Sequence, residues 1–236
     1  MTDLTGIAIG YPVAPESFRR ETDAAYFPFM PDFDSFTGGV FDTNCFYLSA
    51  PGGHLLIDAP AGALDWLEKK GYPLDLLLLT HGHVDHIFDA EKIQRRFNCP
   101  VGYHRDGEEM LKDPEFFQRF GFGLEVETLS AGGFFIEESV PGKTETYLGR
   151  EFQVLLVPGH CPGSLCFFDA SSNQLYGGDV LFAGSVGRWD LPGGDQNLLL
   201  KGIREKILPL GDAVEVFPGH GPSTTIGREK RSNPYI

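Results

Sequence analysis

A continuous run of leucines, LDLLLLT at 74–80, constrains the fold of this chain more than any other feature. The run lies between Pro73 and a histidine-rich segment, and after Asp75 it shows no alternation of apolar and polar residues. A strand with one face in water alternates, so this run is typical of a strand covered on both faces. We therefore expect at least one strand buried between two layers.

Strand and helix patterns alternate on both sides of this run. Residues 43–60 predict a hairpin around an Ala-Pro-Gly-Gly turn that ends at Asp58, and 61–70 predict a helix that stops at Gly71. Further helices are predicted over 89–97, 106–112 and 195–208, and further strands over 100–104, 151–157, 164–169, 174–178 and 213–217. This alternation predicts an α/β domain built from layers.

The domain organisation is predicted to be simple. Residues 113–150 mix aromatic residues with glycine and show no clean period, so we expect an irregular excursion there. No linker rich in serine, proline or charge divides the chain. We therefore expect one domain over residues 1–236.

Composition excludes several classes of partner. The 19 basic and 33 acidic residues give a net charge of −14, which opposes binding to nucleic acid or to an anionic membrane surface. The chain has no basic leader followed by an apolar stretch and no run of about 18 apolar residues, which favours a cytoplasmic protein. Its four cysteines lack paired spacing, so we expect free thiols. These features leave the oligomeric state open, and the small-molecule substrate is inferred from the resemblance given below.

Histidine is concentrated at predicted strand ends. The leucine run leads into HGHVDH at 81–86, and the segments LLVPGHCPGS (155–164) and EVFPGHGPST (215–224) each run from a strand into Pro-Gly-His. In each of these two similar segments a glycine precedes the histidine and permits a turn, so His160 and His220 are expected at strand ends. In LYGGDVLF, Asp179 also follows a strand and two glycines.

Imidazole and carboxylate groups together are the usual ligands of zinc, iron and manganese. Four donors within 81–86 would crowd one tetrahedral ion, whereas two neighbouring ions could share them if further donors came from elsewhere in the chain. Two ions roughly 3.5 to 4 Å apart can hold a hydroxide that is nucleophilic at neutral pH. The predicted ligands of such a site are His81, His83, Asp85, His86, His160, Asp179 and His220.

Other candidates have simpler interpretations. We expect Asp89 to be the N-cap of the helix at 89–97. Asp58 is predicted to be either a cap at the end of its strand or a support for a metal ligand. Cys161 is interpreted as a packed small residue rather than a ligand, and His54 and His104 as structural histidines outside the site.

The segment Thr80-His81-Gly82-His83-Val84-Asp85-His86, followed by His160, Asp179 and His220, resembles the HxHxDH signature of the metallo-β-lactamase superfamily. The resemblance implies an αββα four-layer sandwich of two mixed sheets flanked by helices, with two divalent metal ions at its edge. It implies that His81, His83 and His160 bind one ion, that Asp85, His86 and His220 bind the other, and that Asp179 bridges them. Asp58 matches the acidic residue beneath the metal loop.

Two further segments, GGDVLFAGSVGRWDLPGGD (177–195) and PGHGPSTTIGREKRSNPYI (218–236), resemble the glyoxalase II group of hydroxyacylglutathione hydrolases, and in particular its short bacterial members. This resemblance implies hydrolysis of S-lactoylglutathione or a related hydroxyacyl-thiol by a metal-bridging hydroxide. Arg188 would contact the glutathione part, and Asp85 could accept the proton of the hydroxide. The C-terminal glutathione-binding helical domain of the longer enzymes is not expected here.

Several alternatives share the same signature. A persulfide dioxygenase would use a single iron, and other hydrolases of the superfamily, such as lactonases, would use the same ligands. A binding module without turnover is a third possibility, which the intact ligand set disfavours. We expect zinc as the metal, with iron or manganese as alternatives, since sites of this kind accept all three.

Overall fold

The computed structural model describes residues 30–113, 119, 126–129 and 133–236. Within these residues, two mixed six-stranded sheets dominate the structure. None of the helices in the described segments is both long and apolar enough to span a bilayer. The four cysteines are buried and free of disulfides, as expected.

The first sheet follows chain order. Its strands are β1 (Phe33–Gly38), β2 (Thr43–Ala50), β3 (Gly53–Ile57), β4 (Leu76–Leu78), β5 (Val101–Tyr103) and β6 (Gly133–Phe135). The pairs β1–β2 and β2–β3 are antiparallel, and the pairs from β3 to β6 are parallel. The predicted hairpin at 43–60 is therefore confirmed as β2 and β3.

The second sheet contains β7 (Glu145–Tyr147), β8 (Arg150–Leu156), β9 (Leu165–Asp169), β10 (Gln174–Gly178), β13 (Glu215–Pro218) and β14 (Thr224–Thr225). Its order is β14-β13-β10-β9-β8-β7, with β10 and β13 parallel and the other pairs antiparallel. Between β10 and β13, the strands β11 (Leu181–Phe182) and β12 (Ser185–Val186) form a separate small hairpin.

Helices cover the outer faces. They are α1 (Ala63–Lys70), α2 (Val84–Ile87), α3 (Ala90–Phe97), α4 (Glu108–Lys112), α5 (Gln196–Gly202) and α6 (Ile226–Ser232). The helix predicted over 195–208 is α-helical only as far as Gly202 and continues as a π-helical turn over Ile203–Ile207. As predicted, Gly71 ends α1, with a φ of 69° and its N–H bonded to the carbonyl of Glu68.

The leucine run forms the buried strand that its sequence predicts. Leu76 and Leu78 of β4 lie in the core between the two sheets, together with Phe152 of β8 and Phe167 of β9. Leu77 points to the opposite face of β4 and is also fully buried. Both faces of this strand are therefore covered.

The outer layers complete a four-layer arrangement. On the first sheet, the buried ring of Tyr47 contacts Trp66 of α1. On the second sheet, Phe168 and Val216 pack with Leu199 of α5 and Ile226 of α6. The predicted α/β class with two mixed sheets between helices is confirmed.

The segment at 113–150 differs from the expected irregular excursion. Residues 133–135 add β6 to the edge of the first sheet, and residues 145–147 add β7 to the edge of the second. Each strand has only three residues, which is too short to show a period, so pairing with a neighbour and not local pattern defines them. Residues 114–118, 120–125 and 130–132 of this excursion lie outside the described residues, as do 1–29 of the predicted single domain.

The predicted cap of α3 is a second difference. Asp89 occupies the N-cap position of α3, but its carboxylate makes no cap hydrogen bond there. It instead accepts hydrogen bonds from the backbone N–H groups of Gly62 (2.8 Å) and Leu64 (3.3 Å) at the start of α1. Asp89 therefore caps α1, which is distant in sequence, and not α3, which it directly precedes.

The inter-sheet core supplies the first prediction. Replacing the fully buried Phe152 by alanine is expected to lower the free energy of unfolding by about 3 to 5 kcal/mol, because it leaves a cavity between the sheets. Phe135→Ala is the matched control, since that ring is 43% exposed on an edge strand and should cost far less. Urea unfolding of both variants measures this, and equal losses would contradict the placement of the core.

Candidate metal centre

The ends of four strands carry all the predicted metal ligands. Beyond β4 the chain continues through Thr80 to His81 and His83, and α2 then carries Asp85 and His86. His160 lies four residues beyond β8, Asp179 directly follows β10, and His220 lies two residues beyond β13. The structure brings these side chains together where the two sheets meet, and a bridge between Thr43 and His220 joins the sheets at this point.

Asp179 lies between the other ligands. Its Oδ1 is 3.2 Å from His86 Nε2, and its Oδ2 is 3.4 Å from both His160 Nε2 and His220 Nε2. Asp85 Oδ2 lies 3.1 Å from His220 Nε2 and 3.6 Å from His86 Nε2. One carboxylate therefore touches ligands on both sides of the site.

The histidines form two neighbouring groups. The ring of His83 is 4.8 Å from that of His81 and 4.4 Å from that of His160, measured between centroids. On the other side, His86 and His220 are 5.4 Å apart and share Asp85. These groups adjoin each other, because the shortest of the centroid distances, 4.1 Å, joins His81 to His86, which the resemblance assigns to different ions.

The ligand atoms fit a divalent cation. His81 Nε2, His86 Nε2, His160 Nε2 and Asp179 Oδ1 are buried and make no hydrogen bond, although the last of them lies within ion-pair distance of His86. Leaving a buried polar atom unsatisfied costs about 1 to 3 kcal/mol, and native structures contain few. Nitrogen and oxygen donors that converge in this way suit zinc, iron or manganese. The close groups are His81–His86–Asp179 and Asp85–His86–His220, and a third joins His81, His83 and Cys161.

Hydrogen bonds on the far side of three rings fix their orientation. His160 Nδ1 lies 2.7 Å from the carbonyl oxygen of Arg188, and His220 Nδ1 lies 2.9 Å from that of Phe41. A carbonyl oxygen can only accept, so each Nδ1 carries a proton and donates it. In the neutral ring the lone pair of Nε2 is then free and directed into the site, as metal ligation requires.

Asp58 holds the third ring. Its Oδ2 is 2.8 Å from His86 Nδ1, and its Oδ1 accepts the backbone N–H of Thr80 at 2.8 Å. The hydroxyl of Thr80 also donates to this carboxylate. Of the two interpretations of Asp58, the geometry favours the support for a ligand over the strand-end cap.

Two contacts at the site have no signal in the sequence. The hydroxyl of Thr43, the first residue of β2, donates to Asp85 Oδ2 at 2.7 Å across 42 residues of chain. The carbonyl of Phe41, in the turn before β2, accepts from His220 Nδ1. Neither residue belongs to a recognisable spacing. Only the pairing of β2 beside the end of β13 brings them to the site.

The surroundings shift the pKa values of the histidines in opposite directions. Burial lowers the pKa of His83 to about 3 and that of His81 well below its ordinary value. Burial also acts on His86 and His220, but nearby carboxylates, Asp179 first among them, outweigh it and raise the pKa of His220 to about 10. The pKa of Asp179 is lowered despite burial, chiefly by His86. A cation entering the site would compete with these protons.

Arg188 and Cys161 differ in their relation to the site. The guanidinium of Arg188 is exposed and forms two hydrogen bonds with Asp190, at 2.7 and 2.8 Å, and only its backbone carbonyl touches a predicted ligand. Cys161 is fully buried with its Sγ 3.4 Å from Ser164 Oγ, and burial raises the pKa of its thiol to about 12. The interpretation of Cys161 as a packed residue stays a prediction, since its Sγ also lies within 4.8 Å of ligand atoms of His81 and His83.

Comparison with known proteins places this geometry in a family. The sequence model described as the metallo-beta-lactamase superfamily matches residues 38–220, the span that contains every predicted ligand. The chain belongs to the metallo-β-lactamase superfamily. Superfamily members bind divalent metals and include many hydrolases, and the histidine and aspartate groups of this chain could hold such ions.

Individual relatives cover most of the chain. It is 36% identical over 203 residues to hydroxyacylglutathione hydrolase GloC of Haemophilus influenzae. The aligned region covers 84% of this chain and 94% of the relative. The crystal structure of BLEG-1 B3 metallo-beta-lactamase is similar with a TM-score of 0.79 and 34% identity, over 86% of this chain and 98% of that one. The crystal structure of TTHA1623 in a di-iron-bound form is similar with a TM-score of 0.76 and 33% identity, over 86% of this chain and 100% of that one.

The hydrogen bond from His86 to Asp58 generates the second prediction. Asp58→Asn keeps the shape of the side chain but offers a carbonyl oxygen to only one of the two donors, His86 Nδ1 and the backbone N–H of Thr80, and turns an amide N–H₂ toward the other. The support of the His86 ring or of the loop at Thr80 is therefore lost. We expect metal affinity to fall by about 10- to 100-fold. Competition with a chromophoric chelator measures it.

Asp65→Asn is the matched control, because Asp65 is exposed in the first turn of α1. It should leave metal affinity unchanged. If both variants bound metal as tightly as the unaltered protein, Asp58 would have no part in orienting a ligand.

Proposed function

We propose that this protein is a metal-dependent thioester hydrolase that acts on S-lactoylglutathione or a related hydroxyacyl-thiol. The observation that carries the proposal is the position of Asp179 against His86, His160 and His220, which the resemblance assigns to different ions, because such a position suits a pair of ions. The 36% identity to a relative named hydroxyacylglutathione hydrolase, over almost all of that relative, supports the choice of substrate.

The proposed ligand sets follow the two groups. His81, His83 and His160 would hold one ion, Asp85, His86 and His220 the other, and Asp179 would contact both. When bound, a pair of divalent ions supplies a hydroxide at neutral pH and stabilises the oxyanion that develops on the carbonyl. We propose zinc as the metal, with iron or manganese as alternatives, because these donors accept all three and TTHA1623 has a di-iron-bound form.

The residues of the chain prepare this chemistry. Asp58 and the carbonyl groups of Arg188 and Phe41 hold the Nδ1 protons, so that three Nε2 atoms face the site. The hydroxyl of Thr43 and His220 hold Asp85 as an anion with its Oδ2 at the site. These contacts lower the pKa of Asp85 and so weaken it as a base. The resemblance nevertheless assigns it the proton of the hydroxide as the tetrahedral intermediate of the substrate collapses, and we propose that role here. The leaving thiolate needs little protonation, so the site requires no strong general acid.

The ligand variants test the reaction. Protein carrying two metal ions per chain is expected to hydrolyse S-lactoylglutathione, and His83→Ala or Asp179→Ala should lower kcat/KM by about 10³-fold, since metal stabilisation of charge contributes several kcal/mol. His54→Ala is the control, because that histidine stacks on Tyr47 away from the site and should retain activity.

The same preparation separates the alternatives. One iron per chain with oxygen uptake on a glutathione persulfide would replace hydrolysis by a dioxygenase reaction. Turnover of a lactone or a β-lactam, but not of the thioester, would reassign the substrate. A fully active His83→Ala variant with its metal content verified would refute the site.

Arg188 is the proposed contact to the glutathione part. Its pair with Asp190 is exposed on both sides and therefore weak in water, so a substrate carboxylate can replace Asp190 at little cost. Arg188→Ala is expected to raise KM about tenfold with kcat unchanged, which is the signature of lost uniform binding. Steady-state kinetics on S-lactoylglutathione checks this, and an unchanged KM would exclude Arg188 as a substrate contact.

A further inference from the structure

The small hairpin of β11 and β12 connects two of the predicted ligands. It starts two residues after Asp179 and ends two residues before Arg188, whose carbonyl accepts the Nδ1 proton of His160. Gly187 fills the gap between them, because a Cβ at this position would overlap the backbone oxygen of Asp179 and lie 3.2 Å from His160 Nδ1. The hairpin therefore connects the backbone at Asp179 to the carbonyl that holds the ring of His160.

The hydrogen bonds within this hairpin are too few to fix its position in the fold. Each of its strands has two residues, and only two residue pairs join them. A two-stranded hairpin is marginal in water even when it is longer than this. Its apolar residues Leu181 and Val186 pack into the outer core, but this packing is non-directional and does not fix the turn.

A buried carboxylate on α6 fixes that turn. Glu229 has no exposed surface, and its Oε2 accepts hydrogen bonds from the backbone N–H of Gly184 (2.8 Å) and from Asn233 Nδ2 (2.9 Å). Its Oε1 accepts the hydroxyl of Thr224 at 2.5 Å. Asn233 Nδ2 also donates to the carbonyl of Ser185 at 2.9 Å. Two neighbouring residues of the turn are thus tied to the last helix.

The packing of α6 does not by itself explain why a carboxylate is buried at position 229. A buried carboxylate is costly unless its oxygens are satisfied, and an apolar side chain would pack α6 at lower cost. What the carboxylate adds is direction, because hydrogen bonds to Gly184 and Ser185 set where the turn lies to within a few tenths of an ångström. A hairpin that connects two predicted metal ligands must be held in one position, and directional hydrogen bonds supply that constraint.

We propose that Glu229 is a positioning residue of the metal centre. By holding the turn at Gly184, directly and through Asn233, it keeps the carbonyl of Arg188 on His160 Nδ1 and keeps Asp179 in place. The inference rests on the proposed metal centre but not on the identity of the substrate.

Two substitutions of Glu229 separate hydrogen bonding from packing. Glu229→Gln can turn its carbonyl oxygen toward Gly184 and Asn233 and donate its amide to Thr224, so all three contacts survive. Glu229→Met has similar length but no acceptor, so the N–H of Gly184 loses its partner. Ile226→Val is the control, because it loosens the core packing of the same helix without touching the turn.

The test is cobalt(II) binding to the full-length protein, read from the visible spectrum and from competition with a chelator. Glu229→Met is expected to bind cobalt about 10- to 100-fold more weakly with an altered spectrum, the effect expected for loss of support behind a ligand. Glu229→Gln and Ile226→Val should match the unaltered protein. If Glu229→Met fails to fold, Asn233→Ala, which removes the tie to Ser185, is expected to weaken cobalt binding in the same direction.

Two results would overturn the inference. One is a Glu229→Met protein, or in its place Asn233→Ala, whose cobalt affinity and spectrum match those of Ile226→Val. The other is a Glu229→Gln protein as impaired as Glu229→Met. No thioester takes part in these measurements, so a protein that binds cobalt as expected but leaves S-lactoylglutathione intact would refute the proposed substrate and leave the role of Glu229 standing.

Discussion

The rest of this structure depends on one constraint: the imidazole and carboxylate groups buried at the site each need a partner, and they must be held close together to share one. Three histidine nitrogens and one carboxylate oxygen are buried at one point without hydrogen-bond partners. Packing alone would not gather such groups, because each carries a desolvation cost that only a suitable partner offsets. A divalent cation is the partner whose charge and ligand preference suit all of them. The surrounding layers act as a rigid frame for this point, since strands covered on both faces define where their following loops begin.

Much of the site could be predicted from sequence because its residues follow strands with strong local patterns. The leucine run marks β4, and the two Pro-Gly-His echoes mark the ends of β8 and β13, so the histidines are assigned from strand position and chemistry. The resemblance to the HxHxDH signature then implies how the ligands divide between two ions, and the structure brings these side chains close to one another. The layered α/β class followed from the same alternation of elements.

The parts that sequence could not predict depend on partners distant in the chain. The short strands β6 and β7 have no period, and Asp89 caps α1 and not its own helix. Thr43 reaches Asp85, and Glu229 reaches Gly184, through pairings that local sequence does not encode. In each case a hydrogen bond formed only after the layers assembled decides what the residue does. The ligands and the supporting Asp58 could therefore be predicted from the sequence, whereas the contact of Thr43 with Asp85 could not.

The central claim is that these seven side chains bind two neighbouring ions that share Asp179. Anomalous X-ray diffraction from crystals of the purified protein, recorded on either side of the absorption edge of its metal, tests this most directly. The account predicts two anomalous peaks about 3.5 to 4 Å apart with the carboxylate of Asp179 reaching both. A peak away from His81 and His86, or an anomalous map with no peak beside Asp179 in metal-saturated crystals, would contradict it.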